Sequence, residues 1–290
     1  MPKSAKAKAL ENVPPPPPVP LAVPVADSHT HLDMQREMHG TPVEEALGKA
    51  ADAGVTRVVQ IGCDLPRARW AVAAAARHDE IWAAVALHPN EAPRFGSPQA
   101  LEAALDEIAE LAALPQVVAL GETGLDYYRT GPEGVEAQQY SFRRHIALAK
   151  ELDRTLVIHD REAHADVLRI LAEEGAPPRT VFHCYSGDAA MARTCAEAGY
   201  FMSFAGNVTF ASAAPLREAL AAAPPELLLV ETDAPFLTPV PHRGRPNAPY
   251  LIPHTLRAMA EVKGLPEDEL ARHIADNTAR AFGQPAGAVA

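Results

Sequence analysis

The chain has 290 residues, 48% of them apolar, and a formal net charge of −11. That is enough to bury one large core, and the length fits a single (β/α) barrel domain; the negative sign excludes a broad basic track for duplex DNA, so a nucleic-acid partner would have to be gripped locally. No apolar run approaches the roughly 18 residues of a spanning helix, and Cys63, Cys184 and Cys195 are odd in number and unevenly spaced, which argues against a disulfide framework and points to the cytoplasm, with no membrane partner.

Residues 1–24 carry Lys3, Lys6 and Lys8 and then "PPPPPVP" from Pro14. This composition favours polyproline II and cannot build a packed core, so a disordered or semi-rigid tail is expected. One domain is expected over residues 25–290. Its strand candidates, in chain order, are "VAD" at Val25, "RVVQIG" at Arg57, "IWAAVAL" at Ile81, "VVALGE" at Val117, "TLVIH" at Thr155, "TVFH" at Thr180, "YFMSF" at Tyr200 and "LLLVETD" at Leu227. Helical spacing of alanines and leucines falls between them, for example over residues 99–114, 136–152 and 163–174. Eight apolar strands separated by crossover helices predict a parallel sheet closed into a (β/α)8 TIM barrel. An open doubly wound sheet is the alternative, but no G-x-G-x-x-G follows an early strand to recommend it.

In such a barrel the active site lies at the C-terminal ends of the strands. Strand one ends in His29 and His31, strand four in Glu122, strand five in His159, strand six in His183, and strand eight in Glu231 and Asp233. Neutral imidazoles and carboxylates are the donor set of divalent ions. Alternation along a strand sends His29 and His31 to the same side, so both can serve one ion. There are more candidates than the roughly three protein ligands of one open catalytic site, which favours two ions. Glu122, a carboxylate among histidines, is the natural bridge. Magnesium, manganese and zinc all remain open as the metal.

Beyond the metal candidates, "DSHTHLD" at Asp27, "GETGLDYYR" at Gly121, "VIHDREAHAD" at Val157, "HCYSG" at His183, "VETDAPFLTP" at Val230, "HRGRPNAP" at His242 and "DNTARAFG" at Asp276 together resemble the TatD family of metal-dependent deoxyribonucleases. The resemblance runs from about Asp27 to Gly283. It implies an amidohydrolase-type TIM barrel that hydrolyses phosphodiester bonds with two divalent ions. It assigns His29, His31, Glu122 and Asp233 to the first ion and Glu122, His159 and His183 to the second, with Asp233 and Glu122 catalytic and Asp233 orienting or deprotonating the attacking water. Two departures concern substrate preference: Asn90 stands where the family often has histidine, and Ala248 where it has glutamate.

Arg161 and Arg243, and less directly Arg129, follow strands on the rim and are candidates to grip phosphate. Tyr127, Tyr128, Tyr185 and Phe236 lie on rim loops where a terminal base could stack or the rings could pack the loops. The strand-end ligands and the TatD-like motifs make 3′ to 5′ exonuclease action on single-stranded DNA the leading expectation, with RNA as a further substrate and no obligate protein partner; the acidic net charge fits trimming of single-strand ends better than tracking along duplex. The alternative keeps the two-ion site and changes the bond to a carboxylic ester, lactone or amide, including an aminoacyl-tRNA ester. Cys184 is left out of the ligand set because strand alternation would turn it away. Asp33 is expected to hydrogen-bond within its loop, Asn277 to fix a helix start, and Phe282 to pack.

Overall fold

The computed structural model describes residues 12–283. All eight expected strands form: β1 (Val25–Thr30), β2 (Val55–Gly62), β3 (Ile81–Val85), β4 (Val117–Asp126), β5 (Thr155–Arg161), β6 (Thr180–Phe182), β7 (Phe201–Phe204) and β8 (Leu228–Val230). Each pairs in parallel with the next. The ring closes between β1 and β8 through a bridge at Thr30 and Ala234, flanked by Asp233 N–H donating to His29 O at 2.9 Å and His31 N–H to Ala234 O at 2.8 Å. The result is a TIM barrel, as the apolar runs predicted.

Ten α-helices occur among the described residues: α1 (Leu32–His39), α2 (Val43–Asp52), α3 (Leu65–Ala75), α4 (Pro98–Ala112), α5 (Val135–Glu151), α6 (His164–Glu174), α7 (Ala189–Glu197), α8 (Ala214–Ala222), α9 (Ile252–Lys263) and α10 (Glu267–Phe282). Several start at side-chain caps that satisfy otherwise orphaned N–H groups. Asp64 accepts from Arg67 N, Ser97 from Ala100 N and Asp188 from Met191 N. None of the described helices is long and apolar enough to cross a membrane.

Alternation within the strands divides the core. Val59, Ile61, Val118, Val157, Val181 and Leu229 face the barrel interior with Trp82 and Phe282, whose rings lie 6.4 Å apart and plug the end opposite the strand C-termini. The other strand faces pack on the helices through residues such as Leu105, Phe142, Ile146 and Ile274. Phe282 is buried, as expected. Asn277 does not start a helix: it lies inside α10, where its amide donates to the carbonyls of Pro225 at 2.7 Å and Leu228 at 2.8 Å and ties the helix to the approach to β8.

The N-terminal expectation needs a correction. Residues 1–11 lie outside the described residues, but 12–24 run over the barrel as a strap rather than a loose tail. Arg245 donates to the carbonyls of Val13 and Pro14, Tyr250 to Pro15 at 2.7 Å, and Arg257 to Val19 at 2.8 Å. Leu21 is buried and its N–H donates to Ala53 O. A proline-rich segment loses donors but keeps its carbonyls, and those are the atoms the barrel uses. Deleting residues 1–20 is expected to cost about 1–3 kcal/mol in thermal or urea unfolding, from hydrogen bonds worth roughly 1 kcal/mol each less the ordering entropy. Unchanged unfolding would contradict the strap.

His145 on α5 is fully buried, accepting from Leu87 N at 3.2 Å through Nε2 and donating through Nδ1 to Ser141 O at 2.7 Å. Burial pushes it down to about 4 from 6.5, with the Ser141 hydrogen bond opposing and Arg144 reinforcing. Below pH 6.5 the unfolded chain therefore takes up a proton that the folded chain refuses. Its contribution is complete above that pH and is lost on acidification, by on the order of 2 kcal/mol at pH 4.5. The His145→Gln variant is expected to lose stability less steeply between pH 7 and 4.5 in urea titrations, and parallel losses in parent and variant would rule the effect out.

Candidate metal centre

The strand-end candidates converge on Glu122. Its Oε1 lies 2.6 Å from His159 Nδ1, 2.7 Å from His183 Nε2 and 3.4 Å from His88 Nε2, while Oε2 lies 3.5 Å from His29 Nε2. Asp233 Oδ1 stands 3.5 Å from His31 Nε2 and 3.8 Å from His29 Nε2. All six sequence-chosen residues, His29, His31, Glu122, His159, His183 and Asp233, thus meet at one end of the barrel. Local backbone makes this approach possible. Gly124 takes φ +134°, and a Cβ there would sit 2.1 Å from His159 O, so a glycine lets the ends of β4 and β5 close up. Asp233, at φ 52°, turns in the left-handed region just past β8.

The donor set fits divalent ions. His29 is fully buried, yet neither of its ring nitrogens has a hydrogen-bond partner, and His31 Nδ1 and Glu231 Oε2 are likewise orphaned. Buried polar atoms are normally paired, and unpaired nitrogens aimed at carboxylates suit an ion. Four groupings with ligand atoms within 4.8 Å of one another involve the expected residues: His29 with His31 and Asp233, His29 with His183 and Glu231, His31 with Cys63 and Glu122, and His88 with Glu122 and His159.

Electrostatics follow from burial and the neighbours. Burial opposes the charge on Glu122, but the imidazoles of His183 and His88 and hydrogen bonds with His159 and His183 outweigh it and hold the carboxyl well below the usual range. Asp233 is also lowered, burial being overcome by the His31 hydrogen bond and by His29 and His183. Both are therefore anions at neutral pH. Burial followed by repulsion from His183 lowers His29, and burial lowers His88. Burial acts the same way on His31, His159 and His183, but facing carboxylates raise all three: Asp233 for His31, Asp126 and Glu122 for His159, Glu122 and Glu231 for His183.

Sequence reasoning missed three neighbours. His88 and Cys63 follow β3 and β2, two of the three strands whose ends the sequence reading did not use; Cys63 Sγ lies 3.6 Å from Glu122 Oε2. Reading every strand end the same way would have found both. Asp126 lies four residues past Glu122 on β4 and stands 3.3 Å from His159 Nε2. Asn90, at the departure from the family pattern, donates to Asp126 Oδ2 at 3.0 Å and accepts from Thr130. Glu231 Oε1 accepts from Cys184 N at 2.8 Å and lies 3.2 Å from His183 Nδ1, leaving Oε2 unpaired.

On the rim, the Arg161 guanidinium lies 4.0 Å above the Tyr128 ring, and that of Arg243 4.2 Å above Phe210. Phe236 is 46% exposed and its ring centroid is 6.3 Å from that of His31, and Tyr128 is exposed as well. Tyr185 is buried, and Tyr127 is tied to Asp166 at 2.7 Å; both pack loops. Arg129 is exposed on the β4 loop, where its N–H donates to Asp126. Asp33 stays clear of the cluster, in α1, accepting from Gln60 at 2.8 Å and pairing with Arg67. Strand β6 ends at Phe182, so alternation does not set the direction of Cys184; its Sγ contacts Asn207 at 3.9 Å.

A model of the TatD related DNase family matches residues 26–283. The uncharacterized metal-dependent hydrolase TatD of Mycobacterium tuberculosis is 46% identical over 261 residues, 89% of this chain and 97% of the relative. The uncharacterized metal-dependent hydrolase YabD of Bacillus subtilis is 38% identical, covering 88% of this chain and 98% of its own. The crystal structure of YJJV, a TatD homolog from Escherichia coli K12, superposes with a TM-score of 0.79 at 28% identity, covering 90% and 98% of the two chains. With the barrel and its strand-end cluster already described, these matches place the chain in the TatD family of metal-dependent hydrolases.

Proposed function

We propose that the protein is a two-ion deoxyribonuclease of the cytoplasm that trims single-stranded DNA ends 3′ to 5′ and also accepts RNA. What carries this reading is one buried carboxylate, Glu122, faced by four imidazoles, with Asp233 facing His29 and His31 alongside it. His29, His31, Glu122 and Asp233 would hold one ion and Glu122, His159 and His183 the other. Magnesium, manganese or zinc, when bound, would supply Lewis-acid polarisation of the phosphate and a more acidic water.

The chain's own groups do the rest. Asp233, its side chain 16% exposed against 6% for Glu122, is the carboxylate open to solvent and accepts the proton of the attacking water at Oδ1. Glu122 stays anionic and holds the imidazoles in place. Arg161 and Arg243 hold the scissile phosphate's neighbours, and Phe236 and Tyr128 offer faces to a terminal base. The net charge of −11 disfavours long tracking along duplex and suits local capture of an end.

An end-labelled oligonucleotide assay over a panel of metals and of single-stranded, duplex and RNA substrates tests this directly. Stepwise release of nucleotides from 3′ ends, fastest on single strands, is expected. Turnover of esters or lactones well above that of nucleic acid would move the reading to the carboxylic-ester alternative.

A further inference from the structure

Cys63 follows β2 directly and is half-buried, its thiol edging the barrel interior. Its Sγ lies 3.6 Å from Oε2 of Glu122, the same oxygen that faces the unpartnered, fully buried Nε2 of His29 at 3.5 Å. Sγ of Cys63, a ring nitrogen of His31 and a carboxylate oxygen of Glu122 also lie within 4.8 Å of one another. The other two thiols are placed differently. Cys195 is buried in the apolar shell, Cys184 contacts Asn207, and neither joins a group of ligand-type atoms among the described residues.

We propose that Cys63 is a metal ligand, completing with His31 and Glu122 a nitrogen, oxygen and sulfur site that draws zinc in preference to magnesium or manganese. The inference rests on the metal-centre reading above. Thiolate is the soft member of the set, and soft donors select zinc over the oxygen-seeking ions. Charge agrees: beside Glu122 and Asp233, a thiolate adds a third anion against the four positive charges of two dications, so the buried centre carries less surplus charge. On binding, the S–H bond gives up its proton to solvent and a sulfur–metal bond forms, with no oxidant or reductant involved.

Cobalt(II) titrated into the full-length apo chain tests this through its absorption spectrum, without any substrate. The parent is expected to show ligand-field bands together with a near-ultraviolet thiolate-to-cobalt charge-transfer band. That band should vanish in Cys63→Ser and Cys63→Ala and persist in Cys184→Ser, with circular dichroism confirming that each variant is folded. Zinc affinity should fall roughly tenfold or more in Cys63→Ser, and manganese affinity should change less. Ligand-field bands without a charge-transfer band in the parent, or a band that survives Cys63→Ser, would overturn the thiolate ligand while leaving the metal centre standing. Absence of cobalt bands altogether would overturn the centre itself.

Discussion

Glu122→Gln is expected to reduce turnover by about 10²–10³-fold or more while leaving the barrel folded. The substitution keeps the shape of the side chain and removes its charge, which four imidazoles face at 2.6–3.5 Å. Losing one preorganised charged group from an active site costs about 10²–10³-fold in turnover, which sets the scale of the loss. Metal content should fall with it, because no other carboxylate among the described residues touches four imidazoles. Circular dichroism together with turnover at saturating metal checks the prediction. A Gln variant with parental turnover would remove Glu122 from the mechanism.

The second large effect is expected at Asp27, which ligates nothing in this reading but sits under the ligands. Its fully buried carboxylate accepts from Thr232 N at 2.9 Å, from the Thr232 hydroxyl, and from His29 N at 3.2 Å. It therefore clasps β1 to the segment after β8, across the seam where only an isolated bridge closes the sheet. Burial pushes its carboxyl up to about 7 against the hydrogen bonds from Thr232. Asp27→Ala removes the acceptor of two buried N–H groups and takes one of its partners from the Thr232 hydroxyl, which keeps Thr30 and Ala234, each lost bond worth roughly 1 kcal/mol or more, so a loss of about 2–4 kcal/mol is expected. Because the clasp also sets the approach of Asp233 to His29 and His31, metal affinity should fall together with stability. Asp27→Asn keeps an oxygen for Thr232 N and should fall between the two. An Ala variant with parental melting and parental metal affinity would show that the seam closes without the clasp.

These two residues also show how far the sequence could be read. The strands were legible because most are apolar runs buried on both faces, as in β4, which is buried along its whole length. From that architecture the strand-end rule follows, and it led to His29, His31, Glu122, His159, His183 and Asp233. β1 was legible only as "VAD", crowded by Pro24, and the strand is half polar; Asp27, Ser28 and His29 are buried because distant partners meet them, as Ser28 Oγ meets Ser203 Oγ at 2.8 Å and Val230 O at 3.0 Å. Such partners are about 200 positions away and leave no local pattern. The strap at residues 12–24 escaped notice for a related reason: composition reports what a proline-rich segment cannot bury, whereas its place is set by carbonyls that Arg245, Tyr250 and Arg257 reach from the far end of the chain. The rim arginines were found by position, but their stacking on Tyr128 and Phe210 depends on loop geometry that spacing does not encode.

Metal analysis of the purified chain, reloaded and then desalted, bears most directly on the strand-end cluster. The parent should retain two ions per chain, bridged as a catalytic pair, and the His29→Ala, His31→Ala double variant should retain close to one while keeping its circular dichroism. Equal metal content in parent and double variant would contradict a centre built on the histidine pair of β1.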